Sequence, residues 1–110
     1  MLTKEMGDLD WNKEAVLLEQ LIRGLNPWPS AYTHLNGKTL KIWSAQVEER
    51  DTEEKPGTVV EVNKKELKVQ TGKGILSLKE VQIEGKKRME IDAFLRGNTV
   101  KEGTVLGMTE

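Results

Sequence analysis

The side chains able to carry out acid–base or nucleophilic chemistry are few in this sequence. His34 is the single histidine, and the 110 residues include no cysteine. General acid–base catalysis needs a second titrating group at close range, and the pattern shows no serine or paired-carboxylate arrangement around His34. The sequence therefore favours an ordinary loop histidine, and we predict no catalytic residue in this chain.

Two other segments have the composition of ligand sites but not the spacing. Carboxylates cluster at residues 48–54, yet they lack the spaced glycine and ligand pattern of a calcium loop. Gly72-Lys73-Gly74 lacks the helix start with Lys-Ser or Lys-Thr that a phosphate-binding loop requires. We therefore predict a solvated acidic loop with no metal site, and a hairpin turn from which Lys73 projects.

Basic side chains form the pattern that best supports a function. The net charge is only −1, but residues 1–54 carry a net charge of −4, and residues 63–88 carry 8 basic and 3 acidic side chains. Basic side chains at turns have the charge and reach that contacts with a nucleic-acid backbone need. The alternative is an ordinary solvated surface. The basic residues at or beside predicted turns are Lys38, Lys41, Lys64, Lys65, Lys68, Lys73, Lys86, Lys87 and Arg88.

The aromatic side chains limit the kind of nucleic acid that such a surface would bind. The chain has three tryptophans, one tyrosine and one phenylalanine, and we expect two or three of these five in the core. A surface that stacks successive unpaired bases needs more aromatic side chains than remain. The composition therefore argues against a single-strand platform and favours a folded RNA that presents its backbone.

An amphipathic helix over residues 11–25 is predicted to precede the rest of the fold. Asp10 or Asn12 can cap its start, and Leu17 and Leu21 widen its apolar face. Gly24 is predicted to end the helix by taking a positive φ. The sequence contains no apolar run long enough to span a membrane. The apolar residues that recur at steps of three and four are Trp11, Ala15, Leu18, Ile22 and Leu25.

The residues that follow this helix are predicted to form a rigid structural joint made of Gly24, Pro27, Trp28 and Pro29. Each proline fixes its own φ and pushes the preceding residue into an extended conformation. Trp28 has a large apolar face, and we predict that it is wedged against the core. The joint would then set the direction in which the chain leaves the helix.

After the joint the hydrophobic period changes from that of a helix to that of strands. Asn36-Gly37 is a strong signal for a tight hairpin, and a short helix is predicted at residues 89–96 before a closing strand at 103–107. This order predicts a mainly β fold, an open Greek-key β-barrel of the OB-like kind, with an N-terminal helix and a short helix before the last strand. The other strands are predicted at residues 31–35, 39–47, 58–62, 67–70 and 75–83.

Several of these segments resemble the C-terminal domain of the methionyl-tRNA formyltransferase family. The similarity covers nearly the whole chain, and the amino-acid sequence of the joint resembles that of the tRNA enzyme best. Formyltransferases that act on other substrates share only the outline of that joint. The matching segments are residues 22–29 with Asp10-Trp11 before them, Lys41-Ile42-Trp43, Pro56-Gly57-Thr58, the glycines and apolar residues of 72–78, and Gly85-Lys86-Lys87-Arg88-Met89.

The resemblance implies a division of labour between this chain and a missing N-terminal catalytic domain. The family enzyme transfers a formyl group from 10-formyltetrahydrofolate to methionyl initiator tRNA, and its catalytic and folate-binding motifs are absent here. We therefore expect an isolated, non-catalytic C-terminal domain without a cofactor, cytoplasmic and without a membrane partner. Residues 1–10 would be a remnant of the interdomain linker, 11–25 the helix leading into the barrel, and 26–110 the barrel domain.

The resemblance also turns the basic residues into candidates for binding initiator methionyl-tRNA. Lys86, Lys87 and Arg88 are the main candidates for phosphate contacts. Further candidates are Lys38, Lys41 and Lys73, and Lys4 in the linker. The alternative is a structural module that orients the catalytic domain of a related formyltransferase acting on a small molecule or sugar nucleotide. Contiguous basic side chains favour the first hypothesis, and scattered ones favour the second.

Overall fold

A computed structural model describes residues 7–107, in which two helices surround a single curved sheet. Helix α1 packs against strands β2 and β5, and helix α2 packs against β5 and β6. The order of elements is α1 (Ala15–Leu25), β1 (Tyr32–Leu35), β2 (Lys38–Glu48), β3 (Val59–Val62), β4 (Leu67–Gln70), β5 (Ile75–Ile83), β6 (Met89–Glu90) and α2 (Ile91–Gly97).

Helix α1 begins later than the hydrophobic period predicts. Asp10 Oδ1 accepts a hydrogen bond from the backbone N–H of Asn12 at 3.0 Å, which closes a turn instead of capping a helix. The backbone N–H of Ala15 then donates to Lys73 O at 2.9 Å, so residues 11–14 are held as a loop against the β4–β5 turn. Trp11 is buried as predicted, but it lies in this loop and not in the helix.

Within the observed bounds of α1, the predicted apolar face is correct except at one residue. Ala15, Leu18, Ile22 and Leu25 are buried, and Leu21 packs against the core from a partly buried position. Leu17 is 40% exposed, so the prediction that it widens the buried face is wrong. The sheet beneath α1 is covered by a narrower stripe than the sequence indicates.

The predicted helix stop at Gly24 is also wrong. Gly24 lies inside α1 and is not among the described residues with positive φ. The helix continues to Leu25 and ends at Asn26, whose φ of −89° and ψ of 141° are extended, as expected for a residue before proline. The Asn26 side-chain amide donates to Ile22 O at 2.7 Å and so satisfies one of the last helical carbonyls.

The strands form an antiparallel sheet in the order β1-β2-β5-β4-β3, with β6 paired to the end of β5. Asn36 and Gly37 have φ values of 51° and 84°, the left-handed pair that a two-residue hairpin requires. Leu40 and Ile42 have no exposed surface, which confirms the predicted inward face of β2. The mainly β fold class predicted from the sequence is confirmed.

Residues 84–100 differ from the prediction mainly in where the second helix begins. Met89 and Glu90 pair with β5, so α2 starts at Ile91, two residues later than predicted. Phe94 on α2 has no exposed surface. The Asn98 side-chain amide donates to Phe94 O at 3.0 Å, and Asn98 ends the helix as the sequence predicts.

Residues 103–107 connect the two edges of the sheet without forming a regular strand. Val105 makes a single bridge with Thr58, and the Gly103 N–H donates to Val59 O at 2.8 Å. The Gly107 N–H donates to His34 O, on the other edge, at 2.9 Å. The predicted closing strand is therefore wrong as a strand, but its position across the open side of the half-barrel is right.

The core lies between the sheet and the two helices. In the part of the chain that the structure describes, no helix is both long and apolar enough to cross a membrane. The largest side chains that are at most 1% exposed are Phe94, Leu18, Ile22, Leu40, Ile42, Leu67, Ile75, Leu76, Leu78, Val59, Val69 and Val81.

Candidate nucleic-acid interface

The β1–β2 hairpin and the turn after β5 lie side by side and bring four lysines to one part of the surface. The Thr39 N–H donates to Glu84 Oε1 at 2.6 Å, and the Glu84 N–H donates to Thr39 O at 2.9 Å. These bonds join the two turns directly. We call the exposed lysines on them, Lys38, Lys41, Lys86 and Lys87, the basic surface.

The register of the sheet places Lys41 on the same face as the second turn. Lys41 lies opposite Gln82 in the β2–β5 pair, and residues opposite each other share a face. The Gln82 side-chain amide donates to Lys86 O at 3.1 Å. The sequence could have given part of this arrangement, because counting outward from the Asn36-Gly37 turn predicts that Lys41 pairs with Tyr32, as observed.

Arg88, in contrast, is engaged within the protein. Its Nε and Nη2 donate to the two carboxylate oxygens of Glu80 at 2.7 and 2.8 Å, and its guanidinium carbon lies 4.3 Å from the centre of the Trp43 ring. The hydrogen bonds raise the pKa of Arg88 and lower that of Glu80. A phosphate contact by Arg88 stays a prediction, and it would have to compete with Glu80.

Lys73, another predicted contact, lies outside this group. Lys73 is in the β4–β5 turn, where its Nζ lies 3.9 Å from Glu14 Oε1, while Lys86 follows the opposite end of the nine-residue strand β5. At about 3.3 Å per residue, β5 separates them by roughly 25 Å. The fold therefore does not bring Lys73 to the basic surface. Lys4 lies outside the residues that the structure describes.

Lys68 is largely neutralised by carboxylates from β2, β3 and the β3–β4 turn. Its Nζ lies 2.7 Å from Glu48 Oε2, 3.5 Å from Glu66 Oε2 and 4.0 Å from Glu61 Oε2, and its side chain is 13% exposed. Its hydrogen bond to Glu48 raises the pKa of Lys68 and lowers the pKa of the Glu48 carboxyl. Lys68 therefore links β4 to β2 across β5 and contributes little positive field to a ligand.

Because of these ion pairs, we expect the stability of the domain to depend on pH. The pKa of Glu48 is lowered chiefly by hydrogen bonds from Lys68 and Arg50, and that of Asp51 chiefly by the Gly74 N–H. A carboxyl with a lowered folded-state pKa contributes stability above its unfolded-state pKa, about 4, and loses it as the pH falls through the folded-state value. We expect the melting temperature to fall between pH 6 and pH 3.

In thermal melts recorded between pH 6 and pH 3, the melting temperature of the variant Glu48→Gln should fall less than that of the wild type. Glu53→Gln is the matched control, because Glu53 is exposed and lies outside the ion pairs found among residues 7–107. An equal fall in melting temperature in the wild type and in Glu48→Gln would contradict the assigned role of Glu48.

The joint lies beside the basic surface, but Trp28 does not pack as predicted. Pro29 is buried, whereas Trp28 is 60% exposed, so the expected wedge of Trp28 against the core is wrong. The Ser30 hydroxyl donates to Pro27 O at 2.6 Å, and the Ser30 N–H donates to Leu25 O at 2.8 Å. These bonds close the loop tightly and leave the indole outside it.

A cavity of about 440 Å³ separates the joint from the β1–β2 hairpin. No carboxylate is among the residues that line this cavity. Among residues 7–107, no three His, Asp or Glu side chains are grouped as metal ligands would be. The cavity is lined by Pro27, Trp28, Pro29, Ser30, Tyr32, His34, Thr39 and Lys41.

Comparison with known proteins identifies the family of this chain. The sequence model of the formyl transferase C-terminal domain matches residues 1–99. This chain belongs to that family. A methionyl-tRNA formyltransferase of Agathobacter rectalis is 59% identical over 104 residues, and one of Lachnospira eligens is 54% identical over 112 residues.

The formyl transferase C-terminal domain is one part of these relatives. The match takes in 94% and 97% of this chain but 34% and 36% of the two relatives, so the chain spans about a third of their length. Among solved structures, a variant of HypX from Aquifex aeolicus superposes with a TM-score of 0.66 over 93% of this chain and 19% of that protein. Its sequence identity is 19%, and the likeness shows the fold alone.

Proposed function

We propose that this domain binds initiator methionyl-tRNA through the basic surface, as the C-terminal part of a methionyl-tRNA formyltransferase. The observation that carries the proposal is the joining of two lysine-bearing turns by the Thr39–Glu84 hydrogen bonds. All four lysines are exposed, and none of the ion pairs found among residues 7–107 involves them. Their charge is therefore available to phosphates, while that of Lys68 and Arg88 is largely compensated.

The proposed reaction of the whole enzyme is formyl transfer from 10-formyltetrahydrofolate to the methionine carried by that tRNA. The partner of this domain in the same chain would be an N-terminal catalytic domain, which would bind the folate and perform the chemistry. Support comes from the named relatives, which are about three times as long as this chain. An enzyme of translation initiation acts in the cytoplasm, and the absence of cysteine is compatible with that compartment.

The proposal can be tested by measuring initiator-tRNA binding to this domain over a range of salt concentrations. Four phosphate contacts give a slope of about −3 to −4 for log K against log salt concentration, because each releases condensed counterions. In the variant Lys86→Ala/Lys87→Ala we expect about tenfold weaker binding and a slope smaller by about 2.

A matched control for this pair is Lys64→Ala/Lys65→Ala. These two exposed lysines are also adjacent and at a turn, but that turn lies between β3 and β4 and is not one of the two that the Thr39–Glu84 hydrogen bonds join. Equal loss of affinity in the two double variants would contradict a specific surface and would leave only unspecific attraction. Binding without salt dependence would contradict the phosphate contacts themselves.

One observation favours the alternative of an orienting module for a related formyltransferase acting on a small molecule or sugar nucleotide. Lys73 and the pair Lys64 and Lys65 lie at turns apart from the basic surface, so the positive charge is only partly contiguous. The same titration separates the two functions. If the domain is an orienting module, it should bind initiator tRNA no more tightly than an unrelated protein of similar pI does.

A further inference from the structure

We propose that the cavity beside the joint holds one unpaired nucleotide of a bound RNA, with its base stacked on Trp28. This inference rests on the proposed function and specifies part of the same interface. It differs from the multi-base platform that the aromatic content argues against, because a single exposed indole suffices for a single base. The proposal starts from the unexpected exposure of Trp28, which is 60% accessible.

Trp28 is presented by a loop that has little freedom to move. It lies between two prolines, which fix their own φ, and Pro29 is buried. The Ser30 hydroxyl and N–H hold the loop to Pro27 O and Leu25 O. An aromatic ring held in this way loses little conformational entropy when a flat partner stacks on it, and base–aromatic stacking is tolerant of base identity.

The remaining walls of the cavity suit a nucleotide better than an apolar protein segment. Lys41 belongs both to these walls and to the basic surface, so a phosphate on Lys41 and a base on Trp28 can come from the same strand. Thr39 and His34 add polar groups. The cavity volume of about 440 Å³ lies within the range of roughly 300–1,000 Å³ typical of small-ligand sites.

The test compares two RNAs that differ only in unpaired residues. One is a short blunt RNA duplex, and the other is the same duplex with one strand extended by a single-stranded tail. We expect the wild-type domain to bind the tailed duplex about tenfold more tightly, since stacking of one base contributes this order of affinity. Tryptophan fluorescence should be quenched more by the tailed duplex than by the blunt one, because Trp11 is buried and Trp43, which lies against Arg88, should respond equally to both duplexes.

Variants of Trp28 distinguish stacking from general attraction. Trp28→Ala should remove the preference for the tail and the quenching, while affinity for the blunt duplex and its salt slope stay unchanged. Trp28→Phe should keep part of the preference. The control is Val16→Ala, which removes an exposed apolar side chain (53% accessible) beside the Lys73 end of the sheet and should change neither affinity.

The possible failures have different meanings. If both RNAs bind equally well with no quenching, and Trp28→Ala changes nothing, the nucleotide site is wrong and the proposed function stands. Trp28 would then be a contact for another protein domain. If neither RNA binds the wild type while initiator tRNA does, the nucleotide site is wrong; if initiator tRNA does not bind either, the proposed function fails and takes this inference with it. Melting curves of Trp28→Ala must match the wild type, as expected for an exposed side chain.

Discussion

Replacement of Gly72 by alanine is expected to lower the free energy of unfolding by about 3 kcal/mol. A Cβ on Gly72 would lie 1.9 Å from Asn12 O and 2.7 Å from Asn12 C, both backbone atoms. The Gly72 N–H also donates to Lys13 O at 3.0 Å, so the loop before α1 and the β4–β5 turn would have to separate. Thermal melts should show a decrease of more than about 12 °C.

The matched control is Gly24→Ala, which makes the same chemical change inside a helix. A Cβ on Gly24 would meet no atom within 4 Å, and alanine has the higher helix propensity. We expect the free energy of unfolding to rise by about 0.5–1 kcal/mol. A destabilised Gly24→Ala would show that this glycine has the joint-forming role which the sequence suggested and which the backbone does not support.

Truncation of Trp11 to alanine is expected to cost about 4 kcal/mol, within the range found for buried aromatic residues. Trp11 is 5% exposed and lies against Gly57 and Gly107, which belong to segments at the open side of the half-barrel. Its indole N–H donates to Thr33 Oγ1 at 2.9 Å in a buried hydrogen bond. Chemical denaturation with tryptophan-independent detection, such as far-UV circular dichroism, gives this free energy.

A second pair of variants separates the volume of Trp11 from its hydrogen bond. Trp11→Phe keeps most of the apolar contact but leaves the Thr33 hydroxyl without this donor, which should cost about 1–3 kcal/mol. Adding Thr33→Val should recover part of that loss, because both polar partners are then removed. No recovery in the double variant would mean that packing alone accounts for the effect of Trp11.

The fold was predictable where local chemistry determines the backbone. Asn36-Gly37 specified a hairpin and its register, and alternating residues specified the inward face of β2. The start of α1 was not predictable, since the periodicity of Trp11 fits a helix equally well. The contact that decides it, the Ala15 N–H to Lys73 O, joins residues that are distant in sequence. Tertiary contacts also override the expected stop at Gly24, because Asn26 before Pro27 already ends the helix.

The candidate site was predictable in composition but not in geometry. The sequence identified Lys38, Lys41, Lys86 and Lys87 as exposed basic residues, but their meeting depends on the adjacency of β2 and β5. The sequence did not predict that Arg88 is hydrogen-bonded to Glu80 or that Trp28 is exposed. Each of these depends on where a partner strand or loop lies. Spacing within one segment carries no such information.

The bridging of both sheet edges by residues 103–107 has a consequence for how this domain folds. The Gly107–His34 and Gly103–Val59 hydrogen bonds join parts of the chain that are far apart in sequence, and such contacts form slowly because the intervening loop must first be closed. Until they form, unpaired groups on β1 and β3 can recruit a strand from another molecule. We therefore expect this half-barrel to be prone to aggregation during synthesis until residues 103–107 have left the ribosome.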